Sequence, residues 1–318
     1  MIMWNIKNES YQWEIEVGDI TILKGSNIIW YKLVRLIEDF FENKASTVKI
    51  YEDTQLLHKK DWECLFIPFD AHLQLDKINS KSPLKFIVDE VCNELELSPI
   101  YHEILDVWEA LIDEVELMNH RVEKYGLDLK LELLKLDVIR DALTFSPINK
   151  EMTPIEYKKL LLSLFAEKYI DKKRLIIVEL PELYADDMQL SDFLNSVKIF
   201  TGKGIKFIIV TQQSIKGNTN YLIDNKIINI SCIDNLKRKV QNEVPFVCDD
   251  ELFQMAKINL LQAVDNYKYK GESFKLLTRE NSMLMVVIFV ILFHIDIKLN
   301  LDTSRVESNI KEFIKSYS

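Results

Sequence analysis

Glycine and proline are scarce, with seven of each in 318 residues. So few turn formers argue against an all-β, turn-rich fold and against long linkers. The four cysteines, Cys64, Cys92, Cys232 and Cys248, have no C-x-x-C spacing. Each lies in or beside an apolar run, so buried free thiols are expected and a zinc site is not. The five histidines, His58, His72, His102, His120 and His294, form no H-x-x-x-H or H-E-x-x-H pair. Ser163, Ser191 and Ser214 lack a G-x-S-x-G context, which leaves hydrolase chemistry without support. The one long apolar run is Met283–Phe293. As a helix it spans about 16 Å, roughly half a hydrocarbon core, so it reads as a buried core helix rather than a membrane span. The first residues show no basic region followed by an apolar run, so no secretory signal is expected and the chain reads as cytoplasmic.

A phosphate-binding loop is also missing from its place. Ile20–Gly25 reads as a strand and 28–41 as the helix that follows. In a P-loop nucleotidase the connection is G-x-x-x-x-G-K-[ST], whose backbone amides wrap the phosphates. Here it is Lys24-Gly25-Ser26-Asn27, too short and with no lysine after the glycine. Arg174–Glu179 looks like the acidic strand of such a fold, and Lys206–Gln213 like the strand that ends in a polar sensor residue. Glu179 and Glu182, in Glu-Leu-Pro-Glu, would hold magnesium and orient water in an ATPase. Without the loop they read as polar residues at a strand end.

The expected fold class is α/β, a degenerate P-loop-NTPase-like head with a helical insertion and a mostly helical C-terminal extension. Residues 1–81 and 170–240 form the head, 82–169 the insertion and 241–318 the extension. In the insertion, Ser82-Pro83 and Ser98-Pro99 are helix starts. The second helix carries Ile100, Ile104, Val107, Leu111, Val115 and Met118 on one face and is expected to run to Gly126, about 40 Å. Leu127–Leu133 alternates strictly and suggests a short strand. An amphipathic tail is expected from Val306 to Tyr317.

Net charge is −10, but it is segregated. Residues 85–143 carry fifteen acidic and six basic side chains, 157–174 six basic and two acidic, and 197–239 eight basic and two acidic. Two positive stretches in an acidic chain point to a polyanion-facing surface. The clusters hold Lys158, Lys159, Lys172–Arg174, Lys203, Lys206, Lys216, Lys237, Arg238 and Lys239, without interleaved aromatics or a base-reading motif. Nucleic acid, if bound, would be gripped by its phosphates. Asp128, Glu132 and Asp137 could supply hard oxygen ligands to a cation such as calcium, although no EF-hand loop is present.

The order of Gly18–Leu23 and an apolar helix, then Leu127–Leu133 with the 136–143 helix, then Lys172–Val178 and Lys206–Val210, resembles one family. It is similar to the ring-forming CRISPR adaptation protein of type II-A systems, over about residues 1–235, and the region after 240 suggests its longer subfamily. That resemblance implies a homotetrameric ring around double-stranded DNA, loading at free ends during spacer acquisition. It also implies bound calcium, no nucleotide, other CRISPR adaptation proteins as partners, and no membrane. Lys158, Lys159, Lys203, Lys206, Lys216, Lys237, Arg238 and Lys239 are the expected DNA contacts, and Asp128, Glu132 and Asp137 the expected metal ligands. Two rivals stand beside this reading. One is a divergent ATPase using Lys24, Ser26 and Glu179, and the other is a scaffold whose acidic insertion binds proteins.

Overall fold

The computed structural model describes residues 2–25, 27–74, 83–146, 148, 152–168, 171–223, 226–265, 282–297 and 308–316. They fall into two compact units, 1–69 with 169–318, and 70–168.

The first unit holds two sheets. Strands β1 (Ile2–Lys7), β2 (Gln12–Val17), β4 (Lys49–Glu52) and β5 (Gln55–Leu56) pair antiparallel in the order β2-β1-β4-β5. The larger sheet contains β3 (Ile20–Gly25), β6 (Trp62–Ile67), β7 (Lys173–Glu179), β8 (Ile205–Val210), β9 (Asn218–Ile223) and β10 (Lys226–Ile228), ordered β10-β9-β3-β8-β7-β6. Every pairing in it is parallel except the β9–β10 hairpin. The fold is therefore mixed α/β with a parallel-rich sheet. The unbroken apolar runs of β7 and β8 suit strands that both faces bury, and Leu175–Val178 and Phe207–Val210 have no exposure at all.

Helix α1 (Asn27–Glu42) closes one face. Its Ile29, Leu33, Ile37 and Phe40, at helical spacing, join Trp4, Ile15, Ile50 and Trp62 in a core under the antiparallel sheet. Register between the sheets is pinned by polar contacts. Buried Asn220 on β9 accepts from the Glu16 amide (2.7 Å) and donates to its carbonyl (2.9 Å) on β2.

In the second unit, α2 (Pro83–Glu96), α3 (Pro99–Leu117), α4 (His120–Glu123), α5 (Leu136–Ala142) and α6 (Pro154–Glu167) are helical. Thr153 and Glu156 form a reciprocal capping box that starts α6. Two expectations change here. The second helix stops at Leu117, about 28 Å long by its rise. The short α4 carries the chain on to Glu123, and Gly126, with φ +71°, turns it; Asn119 then ties the returning segment, donating to Asp128 and accepting the Leu129 amide. Residues 127–135 form no strand, since no neighbour pairs with them. Instead the Trp108 indole donates to the Glu132 carbonyl (2.9 Å).

The chain returns to the first unit with α7 (Asp187–Gly202), α8 (Ile230–Glu243), α9 (Asp250–Asp265), α10 (Ser282–His294) and α11 (Ser308–Lys315). Residues 306, 307 and 317 of the expected tail lie outside the described residues. The all-apolar α10 is the centre of a second core, with Phe253, Leu260 and Val264 of α9, Ile233 and Val240 of α8, and Tyr221 and Ile223 of β9 around it. The helices of the expected C-terminal extension thus share a core with β9 of the sheet. No described helix is long and apolar enough to cross a membrane.

Candidate functional site

The place of a phosphate loop is the junction of β3 with α1. Gly25 there has φ +147°, and an added Cβ would lie 2.3 Å from the Leu222 carbonyl oxygen. The glycine is needed for the approach of β9. Lys24 is 5% exposed and pairs in register with Tyr221 of β9. Its Nζ lies 2.5 Å from Asp265 Oδ1, on the last residue of α9. The same oxygen accepts the Tyr221 hydroxyl (3.3 Å), and Oδ2 accepts the Ser214 hydroxyl (3.1 Å). Gln212 donates its side-chain amide to the Gly25 carbonyl (3.1 Å). Burial opposes the charge on Asp265, but the Lys24 hydrogen bond and charge, helped by the two hydroxyls, overcome it and hold the carboxyl below its ordinary range. Burial, then the Asp265 charge, pushes the Tyr221 phenol well up. Ser26 lies outside the described residues.

The acidic strand ends two positions away in the sheet, because β8 lies between β3 and β7. Glu179 has no exposure. One of its oxygens accepts Arg35 Nη2 of α1 (2.8 Å) and the other the Phe69 amide (3.2 Å). Arg35 also pairs with Glu38 (2.5 Å) and sits 4.8 Å and 4.4 Å from the Tyr31 and Phe66 ring centres. Burial works against the guanidinium charge, and Glu179 followed by Glu38 more than restores it. Glu182 accepts the Gln212 amide (2.7 Å). Leu180 and Tyr184 follow β7 with φ of +41° and +63°. Such conformations are held by surrounding structure, here in part by the Leu180 amide donating to the Val210 carbonyl (2.9 Å). Of the ATPase candidates, Lys24 and Glu179 therefore face different partners, each of opposite charge and each from this chain.

The expected DNA contacts scatter. Lys158 is buried with no exposure, so it offers no ammonium to a phosphate at the surface. The reading of 158–159 as one basic pair fails because helical rotation turns adjacent residues to different faces, and Lys159 alone is exposed. Lys216 is exposed before β9. On α8, Lys237 pairs with Asp250 (2.9 Å), while Arg238 and Lys239 are exposed.

Lys203 and Lys206 behave differently. Strands β7 and β8 are parallel, with Arg174 opposite Ile205 and Leu175 opposite Lys206. Their starts therefore lie side by side, and Lys172, Lys173 and Arg174 meet Lys203 and Lys206 at one edge of the sheet. Arg174 donates to the Lys203 carbonyl (2.9 Å). The ammonium groups of Lys173 and Lys206 both sit over the Trp62 ring, at 5.4 Å and 5.9 Å from its centre. Glu63 approaches Lys172 at 3.8 Å. Asp171 and Asp19 adjoin the group along the chain and at the start of β3. Trp62 was absent from the sequence reading. The signal for this edge was two strands that each begin with basic residues, once their parallel pairing is known.

The three expected metal ligands do not converge. Asp128 is bound to Lys130 (2.8 Å) and Asn119 (2.6 Å), and those contacts, Lys130 first, lower its carboxyl. Asp137 pairs with Arg140 (2.5 Å). Glu132 is exposed. Among the described residues no three His, Cys, Asp or Glu side chains gather as a metal site. A calcium cage needs six to eight oxygens, so these residues do not fit one within the chain.

No family profile matches the sequence, and no curated protein does. Among solved structures, the fold is similar to that of Stu0660 of Streptococcus thermophilus, with TM-score 0.55 and 15% identity over 98% of this chain and 99% of that one. Weaker similarities are to ATP-binding cassettes of ABC transporters. One, in its ADP conformation, has TM-score 0.38 and 13% identity over 72% of this chain and 90% of that one. Another, nucleotide-free, has TM-score 0.39 and 14% identity over 75% and 96%. At these identities the likeness concerns fold alone.

Proposed function

We propose that this protein is a non-enzymatic, sequence-independent binder of double-stranded DNA, acting as an oligomer in CRISPR spacer acquisition. The observation that carries the reading is the basic sheet edge, where Lys172, Lys173 and Arg174 at the start of β7 meet Lys203 and Lys206 at the start of β8, with the Lys173 and Lys206 ammonium groups over Trp62. Like charges held together are relieved by an anion, and a duplex supplies phosphates at regular spacing without a base having to be read. The sequence resemblance to the type II-A adaptation protein supplies the biological setting and the free-end loading. The degenerate P-loop character of the head supports an absence of nucleotide chemistry, because Lys24 and Glu179 are each engaged by a partner from this chain. Assembly is supported by α3, along which Tyr101 is the buried residue. Its Ile100, Ile104, Val107 and Leu111 form an exposed apolar stripe at helical spacing, suited to a second copy. Calcium enters no step here.

The test is duplex affinity as a function of salt. Affinity for unrelated linear sequences is expected to be alike and to fall steeply with salt, by about 0.9 in logarithmic slope for each phosphate neutralised. Replacing Lys173, Lys203 and Lys206 together by Gln should flatten that slope by about 3. Linear fragments should load and covalently closed circles should not. Salt-insensitive binding, or a triple variant with an unchanged slope, would remove the basis of the proposal. Micromolar ATP binding would favour the ATPase instead.

A further inference from the structure

Among the described residues, the donors to Asp265 come from the sheet and its loops, and the acceptor comes from the C-terminal helices. Lys24 stands at the end of β3, Tyr221 beside it on β9, and Ser214 in the loop after β8. One ammonium and two hydroxyls converge at 2.5 Å, 3.3 Å and 3.1 Å on a single carboxylate. This is the end of the parallel strands where open α/β sheets hold their ligands. It is also a complete set of contacts for a small oxyanion, with charge from the lysine and direction from the hydroxyls.

A core lysine could be replaced by an apolar residue of similar size, and a buried ion pair adds little over that replacement. We propose that Lys24, Ser214 and Tyr221 form an anion site of phosphate class, and that the chain's own Asp265 occupies it as a tethered competitor. Asp265 ends α9, so the helix's last turn is fastened only while no other anion holds Lys24. The intact chain is then blind to phosphate here, and removing the Asp265 carboxylate uncovers the site.

The experiment is thermal unfolding of the full chain in sodium phosphate against sodium chloride of equal ionic strength and pH. The wild-type protein should show no difference between the two. Asp265→Ala should be less stable in chloride, and phosphate should raise its Tm by about 2–4 °C. Asp265→Asn, which keeps the side-chain volume, should respond in the same direction and serves if the alanine variant fails to fold. Adding Lys24→Met to either variant should abolish the phosphate effect. If neither single variant responds to phosphate, or if the response survives Lys24→Met, the pair is a structural salt bridge and the proposal falls.

Discussion

Arg35 packs between two aromatic rings and neutralises a carboxylate with no exposure. Arg35→Ala is expected to destabilise the protein by about 3–5 kcal/mol, because it removes the guanidinium that neutralises a carboxylate with no exposure. Glu179→Gln should lose less, since the amide keeps the volume and one hydrogen bond. Urea unfolding of the two variants checks the order, and equal losses would show that the charge is not what matters. Asp265 gives a pH dependence with a definite sign. Its folded carboxyl sits below the ordinary value of 3.8. The stability it contributes is therefore fully present above that value and is lost as pH falls through the lower, folded one. The stability gap between wild type and Asp265→Asn should hold from pH 7 to about 5 and close as the solution becomes more acid than the ordinary carboxylate value. A gap that does not narrow at all as pH falls below 3.8 would place the effect elsewhere. None of these pairings was legible in the sequence. Lys24 and Asp265, or Arg35 and Glu179, are far apart along the chain, and a charged residue looks the same whether its partner is water or a buried counter-ion.

Elements were more legible than partners. The apolar runs at Leu175–Val178 and Phe207–Val210 read as buried parallel strands because no polar residue interrupts them. Met283–Phe293 read as a core helix because it is too short to span a bilayer, and α10 is buried on almost every side. Ile288→Ala at its centre should cost about 2–5 kcal/mol. Thr153→Ala at the α6 cap should cost about 1 kcal/mol. Denaturant midpoints of the two variants compare them, and an α10 substitution as mild as the cap would mean that the second core is not shared with the sheet. The failures came where pattern is ambiguous. The alternation in Leu127–Leu133 suits a strand, but alternation without a pairing neighbour makes none. The apolar face of α3 ran on past Leu117 by periodicity, and there the run divides into α3 and the short α4 before Gly126, at φ +71°, turns the chain.

For the whole molecule, two surfaces should answer salt in opposite directions. Around its apolar stripe α3 carries Glu103, Asp106, Glu109, Asp113, Glu114 and Glu116 and no lysine or arginine. Copies meeting through this face repel until the charges are screened. Oligomeric mass by sedimentation should therefore hold or rise with salt over the range in which duplex binding falls, and Val107→Asp should lower the mass without unfolding the chain. A mass that drops with salt would point to assembly through ion pairs. The basic edge was only half legible, since composition showed two positive stretches and topology alone makes them neighbours. The same topology governs how the protein comes into being. Strand β3 has β8 and β9 as its only neighbours in the sheet, and both lie beyond residue 204. On the ribosome, at about 5–20 residues per second, Ile20–Leu23 emerges with two open edges and waits on the order of 10–40 seconds for them to be filled. The antiparallel strands β1, β2, β4 and β5 come from one short stretch and can close early, so the nascent chain carries a finished antiparallel sheet beside an exposed apolar strand. That interval, rather than any weakness of the completed fold, is when this protein is most exposed to aggregation and to chaperones.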